Sequence, residues 1–462
     1  MDLITKIVQT INAYLSDYIL IFLLVGTGLF YSIKTRFVQV RCFGEGMKKV
    51  FGGIFSKKEG SKSGLSSFQA LATAIAAQVG TGNIVGACGA ILVGGPGAIF
   101  WMWLIAFFGM ATIYAEAILA QETREISADG SVLGGPVYYI KRAFSGKFGK
   151  FLAGFFAVAC FLALGFMGTM VQSNSISEAV STASGGFISP WMVGIVLAVV
   201  CGFIFIGGIK RIAAVAEKIV PLMAVAYIAI GVVVLGINAK HLPETFGLIF
   251  KYAFMPQAIL GGAFGAAIKA AISQGVKRGL FSNEAGMGST PHAHAQAEVE
   301  KPHDQGVVAM IGVFIDTFVV LTITALVVIS TLYAGNGPLG SAEGLAATAL
   351  GKANLMQTAV GTALGNMTLG NVMIAACLTF FAFTTIISWN FFGKQNVQYL
   401  FGKGGTVVYS VLALGFIFLG SLLKNDLVWE LADMFNNLMV IPNVLALVTL
   451  SGIVVAACKK KK

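Results

Sequence analysis

Eleven stretches of about 20 mostly apolar residues, the length that crosses a bilayer core, recur along this 462-residue chain. In lipid such segments fold as helices, because nothing there can satisfy an open backbone N–H or C=O. They fall at approximately 15–33, 67–92, 97–121, 150–173, 188–208, 212–236, 256–283, 306–332, 371–392, 406–422 and 438–457. The fold class this predicts is an all-α polytopic membrane protein. Composition agrees, with 57% hydrophobic and 11% charged residues, against roughly 45–50% and about 25% in soluble domains. A soluble globular protein and a disordered one are both excluded. The semi-polar stretch from Ser341 to Asn371 reads as a surface helix and loop, not another crossing.

The formal net charge is +11, with 31 Lys and Arg. In a soluble protein that would suggest a nucleic-acid partner; here the charges map to one face, and no nucleic-acid partner is expected. With an N-terminus outside, the cytoplasmic side holds 25 of them, including Lys34 to Lys62, Arg124 to Lys150, Lys210 to Lys218 and Lys459 to Lys462. Lys6, Lys240, Lys251, Lys352 and Lys424 are the 5 left outside, and Lys269 lies within a span. The bias predicts N-terminus out and C-terminus in. Moving Lys277 and Arg278 into the membrane leaves 23 against 5. The C-terminal lysines read as an anchor to anionic headgroups. Six scattered cysteines without a C-x-x-C pair give no disulfide or zinc signature. The first apolar run lacks the basic start and cleavage site of a signal peptide, so it reads as a retained helix.

Two spans depart from the apolar rule. The second carries Gly80, Gly82, Gly86 and Gly89 at its middle, with Thr81 and Asn83 among them. Close packing through Gly82-x-x-x-Gly86 is one reading. A polar amide at bilayer depth, flanked by residues that tolerate unwinding, favours the other: a broken helix lining a binding cavity. The seventh span repeats the pattern with Gly275, Gly279, Phe281, Ser282, Asn283, Glu284 and Gly286. If its break lies near Phe281, residues 284–296 form a second half-helix and Lys277 and Arg278 sit close to the cavity. If the helix ends near Gly275, the basic pair is a cytoplasmic anchor. Two interrupted spans, each opening a block of five, fit inverted repeats. The organisation that follows is an N-terminal helix and basic loop (1–66), a first repeat (67–236) and a second (252–457).

The motifs GTGNIVG (Gly80 to Gly86), GGPGAIFWMW (Gly94 to Trp103), GGIKRI (Gly207 to Ile212) and GVKRGLFSNEAGMGS (Gly275 to Ser289) together resemble the sodium:alanine (or glycine) symporter family. The similarity runs over essentially the whole chain. It implies a five-plus-five inverted repeat of the leucine-transporter type with one extra N-terminal helix. The implied activity is Na⁺-driven uptake of a small neutral amino acid across the cell membrane. Thr81 and Gly82 match positions that contact substrate, where backbone N–H groups freed at the break would hold its carboxylate. Gln172, Phe281 and Trp389 match further pocket positions, and carbonyls near Phe281 would accept from the amino group. Gln78 faces the same break as a candidate for side-chain selectivity, and Asn283 joins the substrate set.

Sodium prefers oxygen ligands. The resemblance implies one ion at the carbonyls of Ala76 and Val79 with the hydroxyls of Thr384 and Thr385, although threonines in membrane helices also bond their own preceding turn. Asn83 and Asn283 are candidates for a second ion near the carboxylate. Glu116 and Asp316 are the clearest intramembrane carboxylates and so functional candidates. His292 and His294 form an H-x-H without a third nearby ligand. No H-E-x-x-H, G-x-S-x-G or Walker sequence is present, so an enzyme is not expected. A carrier for glutamine or another polar amino acid, driven by Na⁺ or H⁺, is the alternative in the same class, and a passive channel is the alternative outside it.

Overall fold

The computed structural model describes residues 2–54, 64–128, 130–256, 264–423 and 426–459. The start of the expected seventh span (257–263) and Lys57, Lys58, Lys62, Lys424 and Lys460 to Lys462 lie outside the described residues. The described chain is mostly helical. Its one sheet among the described residues is the hairpin Glu125–Ile126 with Val132–Leu133.

Seven described helices are long and apolar enough to cross a membrane: Thr5–Lys34, Ala98–Thr123, Gly146–Ala183, Gly208–Ile237, Pro302–Leu332, Met367–Leu422 and Leu427–Thr449. The pair Ser67–Gln78 and Gly82–Gly94, bent by 45°, makes an eighth if counted as one span. Pro190–Ile206 is a shorter apolar helix. Local chemistry sets several of these starts. Ser66 and Gln69 form a reciprocal capping box at the start of the broken pair, which satisfies two otherwise open donors. Pro190 and Pro302 sit in first turns, where a missing N–H costs nothing. The 56-residue helix Met367–Leu422 turns at Gly402, whose φ of 69° interrupts it.

The polarity of the molecule is inverted, with apolar side chains outside and many polar ones inside. Phe203, Ile206, Leu222 and Val411 stand 64–84% exposed, whereas Asn83, Glu116, Glu284 and Asp316 are fully buried. Apolar faces of this extent suit a lipid surround and would be a liability in water. Gly146–Ala183 packs along Met367–Leu422, and Ala98–Thr123 lies between Phe264–Asn283 and the first half of Pro302–Leu332.

Three boundaries differ from the sequence expectation. The first helix begins by Thr5 instead of 15, its N-terminal part held by Asn12 donating to Glu430 at 2.6 Å. The last long helix is Leu427–Thr449 and stops before Ser451–Lys459, where the sequence suggested one span over 438–457. Its buried face carries Asp433, Asn436, Asn437 and Asn443, and those polar residues lower the apolar signal of its first half. The stretch after Ser341 is only partly a surface element, since Leu355, Met356 and Val360 of helix Leu355–Ala363 are buried.

Candidate functional site

The first break is a short extended step. Helix Ser67–Gln78 ends at Val79, whose φ and ψ of −79° and 88° leave the helix, and winding resumes at Gly82. Asn83 Oδ1 accepts from the Gly80 N–H at 3.0 Å, and Gln172 Oε1 accepts from the Thr81 N–H at 3.1 Å. The sequence reading expected these N–H groups to be open. Two of them are instead capped by amide oxygens, those of Asn83 and Gln172. Thr81 Oγ1 and Gln78 Oε1 are buried and have no hydrogen-bond partner among the described residues. Such groups are costly unless something supplies a bond.

The second break faces the first. Helix Phe264–Asn283 ends at Glu284, a non-glycine residue at φ 59°, a conformation that only the surroundings can hold. Gly286 and Gly288 follow with φ of 90° and 83°. This corrects the expected half-helix over 284–296: only Pro291–His294 is α-helical, and the rest is turn. Glu116 secures the turn by accepting from the N–H groups of Gly286 and Gly288 at 3.1 Å each. Asn443 adds donors to Glu116 at 2.7 Å and to the Gly286 carbonyl at 2.9 Å. Gln78 Nε2 joins the two breaks by donating to the Asn283 carbonyl at 2.7 Å. Close approach demands small residues here: a Cβ on Gly82 would stand 3.0 Å from Ser282 Cα and 3.2 Å from the Phe281 ring.

Aromatic rings cover this junction. Phe281 meets Trp389 edge-on at 5.8 Å between centroids and Trp429 at 5.4 Å. Trp389 Nε1 donates to Glu284 Oε1 at 2.6 Å, and Ser289 Oγ donates to the other carboxylate oxygen. Above Trp429 lie Arg278, 5.2 Å from the ring centroid, and Lys352, at 4.4 Å. Arg278 reaches Asp433 with two nitrogens at 3.3 and 3.2 Å, and Lys277 lies 2.8 Å from the same carboxylate. The helix runs on past the basic pair to Asn283, and Arg278 reaches the Trp429 ring that packs on Phe281, so the pair sits beside the second break, as in the first of the two placements considered above. Away from this ion pair, a cleft of about 300 Å³ reaches Asn390 and Phe391 and is lined by Val132, Ile209 and Gln296.

Two oxygen-rich clusters flank the breaks. Thr385 Oγ1 donates to the Ala76 carbonyl at 3.0 Å, which ties Met367–Leu422 to the end of the first half-helix. It also bonds its own preceding turn at Phe381, as does Thr384. The other cluster surrounds Asp316, which accepts from Asn83 Nδ2 at 2.6 Å, Ser282 Oγ at 2.9 Å and Thr317 Oγ1 at 2.8 Å. Asn283 Nδ2 lies 3.4 Å from Thr317 Oγ1. The histidines of the H-x-H diverge: His292 bonds Ser289 and Asn396, and His294 bonds Gln305.

Sequence reasoning missed Trp429 and Asp433, which lie before the expected start of the last span. The signal available was an acidic i, i+3 pair, Glu430 and Asp433, on a helix that starts near Asp426. It also left Asp316 without partners, and the structure supplies three.

Two facing helix breaks lie in a lipid-adapted helical bundle with carboxylates and amides gathered around them, and the family and relatives that the chain matches make this multi-pass membrane protein a transporter, not an enzyme. The fold matches that of a crystal structure of MhsT in complex with L-phenylalanine, with a TM-score of 0.60 over 87% of this chain and 99% of that one at 14% identity. The chain belongs to the sodium:alanine symporter family, whose model matches residues 1–461. It is 41% identical to the sodium/alanine symporter AgcS of Methanococcus maripaludis, over 99% of this chain and 97% of the relative. It is 38% identical to a Bacillus subtilis protein named "Probable sodium/glutamine symporter GlnT", over 99% and 91%.

Proposed function

We propose that the chain is a secondary active transporter that couples inward movement of Na⁺ to uptake of alanine by alternating access. The observation that carries this reading is the meeting of the two breaks at Gln78 to Gly82 and Phe281 to Asn283, beneath Phe281, Trp389 and Trp429. The substrate carboxylate binds at Thr81 and Gly82, where Gln172 now accepts. The amino group turns to the carbonyls near Phe281 and Asn283, and Gln78 stands beside it. Thr81 Oγ1 and Gln78 Oε1 then gain the partners they lack. Three large rings over a junction this tight leave room for a methyl side chain and disfavour a long amide. The relative named for glutamine gives the second reading, which competition by glutamine against alanine tests.

One Na⁺ takes the carbonyls of Ala76 and Val79 with Thr384 and Thr385; the Thr385 contact to Ala76 supports that placement. A second lies at Asp316, Ser282 and Thr317, beside Asn83, where a full carboxylate joins two hydroxyl oxygens, the hard donors a small cation prefers; Asn83 then turns its amide oxygen from Gly80 toward the ion. Asn283 reaches the same place through Thr317.

The eleven-span count adds Pro190–Ile206 and Phe264–Asn283 to the eight and reads Met367–Leu422 as two arms about Gly402. With the N-terminus outside and the C-terminus cytoplasmic, residues 1–66 precede two inverted repeats, 67–236 and 252–457. The Asp433 ion pair then closes the outer side, and the cleft at Asn390 opens inward. Counterflow of labelled alanine in proteoliposomes is expected in sodium and to be lost in choline; equal counterflow in both overturns the proposal.

A further inference from the structure

A second cluster of ligating side chains lies outside the transport site, where the linker after the first helix meets the start of Pro302–Leu332. Cys42 sits between helices Val38–Arg41 and Phe43–Ile54, so Cys42 and Glu45, three residues apart, project from one turn. His303 stands in the first turn of the facing helix, beginning at Pro302. One ligand atom from each of the three lies within 4.8 Å of the others. His303 Nε2 is 3.3 Å from Glu45 Oε1. On its other side, His303 Nδ1 bonds the Tyr114 hydroxyl at 2.7 Å.

We infer that Cys42, Glu45 and His303 form a binding site for a first-row transition-metal ion of the Zn²⁺ class. The donor set is mixed sulfur, nitrogen and oxygen, which Zn²⁺ accepts in sites with three protein ligands and one open position. With the thiolate and the carboxylate as ligands, the set carries two negative charges to meet the ion's two. The Tyr114 bond to Nδ1 holds the ring with Nε2 facing Glu45, and a partner on the second ring nitrogen is the outer-shell support that metal-bound histidine uses. Cys42 is fully buried and His303 is 3% exposed, whereas the Glu45 side chain is 27% exposed, so an ion enters past Glu45. Ligand atoms around tetrahedral Zn²⁺ stand roughly 3.3–3.7 Å apart, and the three atoms here already lie within 4.8 Å of one another, so no pair has to close by more than about 1.5 Å on binding. Cys458 stands at the same Tyr114 hydroxyl, and Arg41 Nη2 lies 3.4 Å from its sulfur. Lys49 pairs with Asp304 at 3.2 Å beside the site.

A metal here would fasten the linker helix Phe43–Ile54 to the helix that carries Asp316. Those elements already interlock, since a Cβ on Gly46 would stand 2.8 Å from the Val307 carbonyl. Any transport step that moves the start of Pro302–Leu332 against the linker is therefore slowed when the site is filled.

Titration calorimetry of the purified full-length protein with Zn²⁺ alone tests this. One Zn²⁺ per chain is expected, with affinity falling at least tenfold in Cys42→Ser and in His303→Gln. A smaller loss in either, or no binding to the unaltered protein, overturns the assignment. Glu45→Gln, at the more exposed ligand, covers the case in which the buried variants misfold; it should weaken Zn²⁺ severalfold, and unchanged affinity there also overturns it. Cys201→Ser, a buried cysteine on Pro190–Ile206, should bind as the unaltered protein does, and an equal loss there counts against the site.

Discussion

Gly80 shows how a single residue constrains the site. A Cβ at Gly80 would stand 2.4 Å from Thr385 Oγ1 and 3.1 Å from Gln172 Oε1, contacts that force one neighbour to move. Gly80→Ala is therefore expected to lower sodium-driven alanine uptake at least tenfold while the protein still reaches the membrane, measured as uptake per unit of protein. Asp316→Asn keeps the shape of a residue with three bonded partners and removes its charge. It is expected to raise the sodium concentration for half-maximal uptake by at least tenfold, with an upper bound near a thousandfold set by one lost charge contact of about 4 kcal/mol at effective dielectric near 20. Much at this scale was legible in the sequence, because glycines beside Thr81, Asn83 and Ser282 at bilayer depth are too costly to be incidental. The partners of those residues were not. Asn83 finds Asp316 across 233 residues, and Gln78 finds Asn283 across 205; neither pairing leaves a local pattern.

Among the elements, the junction between Phe264–Asn283 and Leu427–Thr449 is the one with a gate-like construction. Lys277 and Arg278 converge on a single Asp433 that is 2% exposed. Removing one partner of a buried pair typically costs about 3–5 kcal/mol, because the remaining charges stay buried and unpaired. Asp433→Asn should therefore loosen this closure. A cysteine introduced at Thr81 is expected to react at least tenfold faster with a membrane-impermeant maleimide added from outside when Asp433→Asn is present; an unchanged rate would place the ion pair elsewhere than over the entrance. The sequence hid this element for a physical reason. A helix that buries Asp433, Asn436, Asn437 and Asn443 against its neighbours reads as semi-polar over its first half, so the apolar window slid toward 438–457. The turn after Asn283 was hidden differently. Its geometry rests on Glu116 and Asn443, which come from two other helices, whereas its local sequence is compatible with a continued helix.

For the whole molecule, the arrangement of charge makes a quantitative demand. Carboxylates and amides lie inside, apolar faces lie outside, and the sequence confines most Lys and Arg to one proposed side. In that frame the transport site sits between an outer ion pair and an inward cleft, and Na⁺ crosses the membrane field with a substrate of no net charge. Each net charge moved down 100 mV contributes about 2.3 kcal/mol, equivalent to roughly fifty-fold accumulation. Proteoliposomes with equal sodium on both sides and an inside-negative potential are therefore expected to accumulate alanine. Collapsing the potential should abolish that accumulation while leaving counterflow intact. Doubling the number of ions carried squares the ratio, so the accumulation reached at a set potential counts the coupled ions. One ion predicts an exponent of one in this relation. Occupation of both the Thr385 and the Asp316 clusters predicts two, and Asp316→Asn should then bring the exponent back to one if its cluster is the site that is lost.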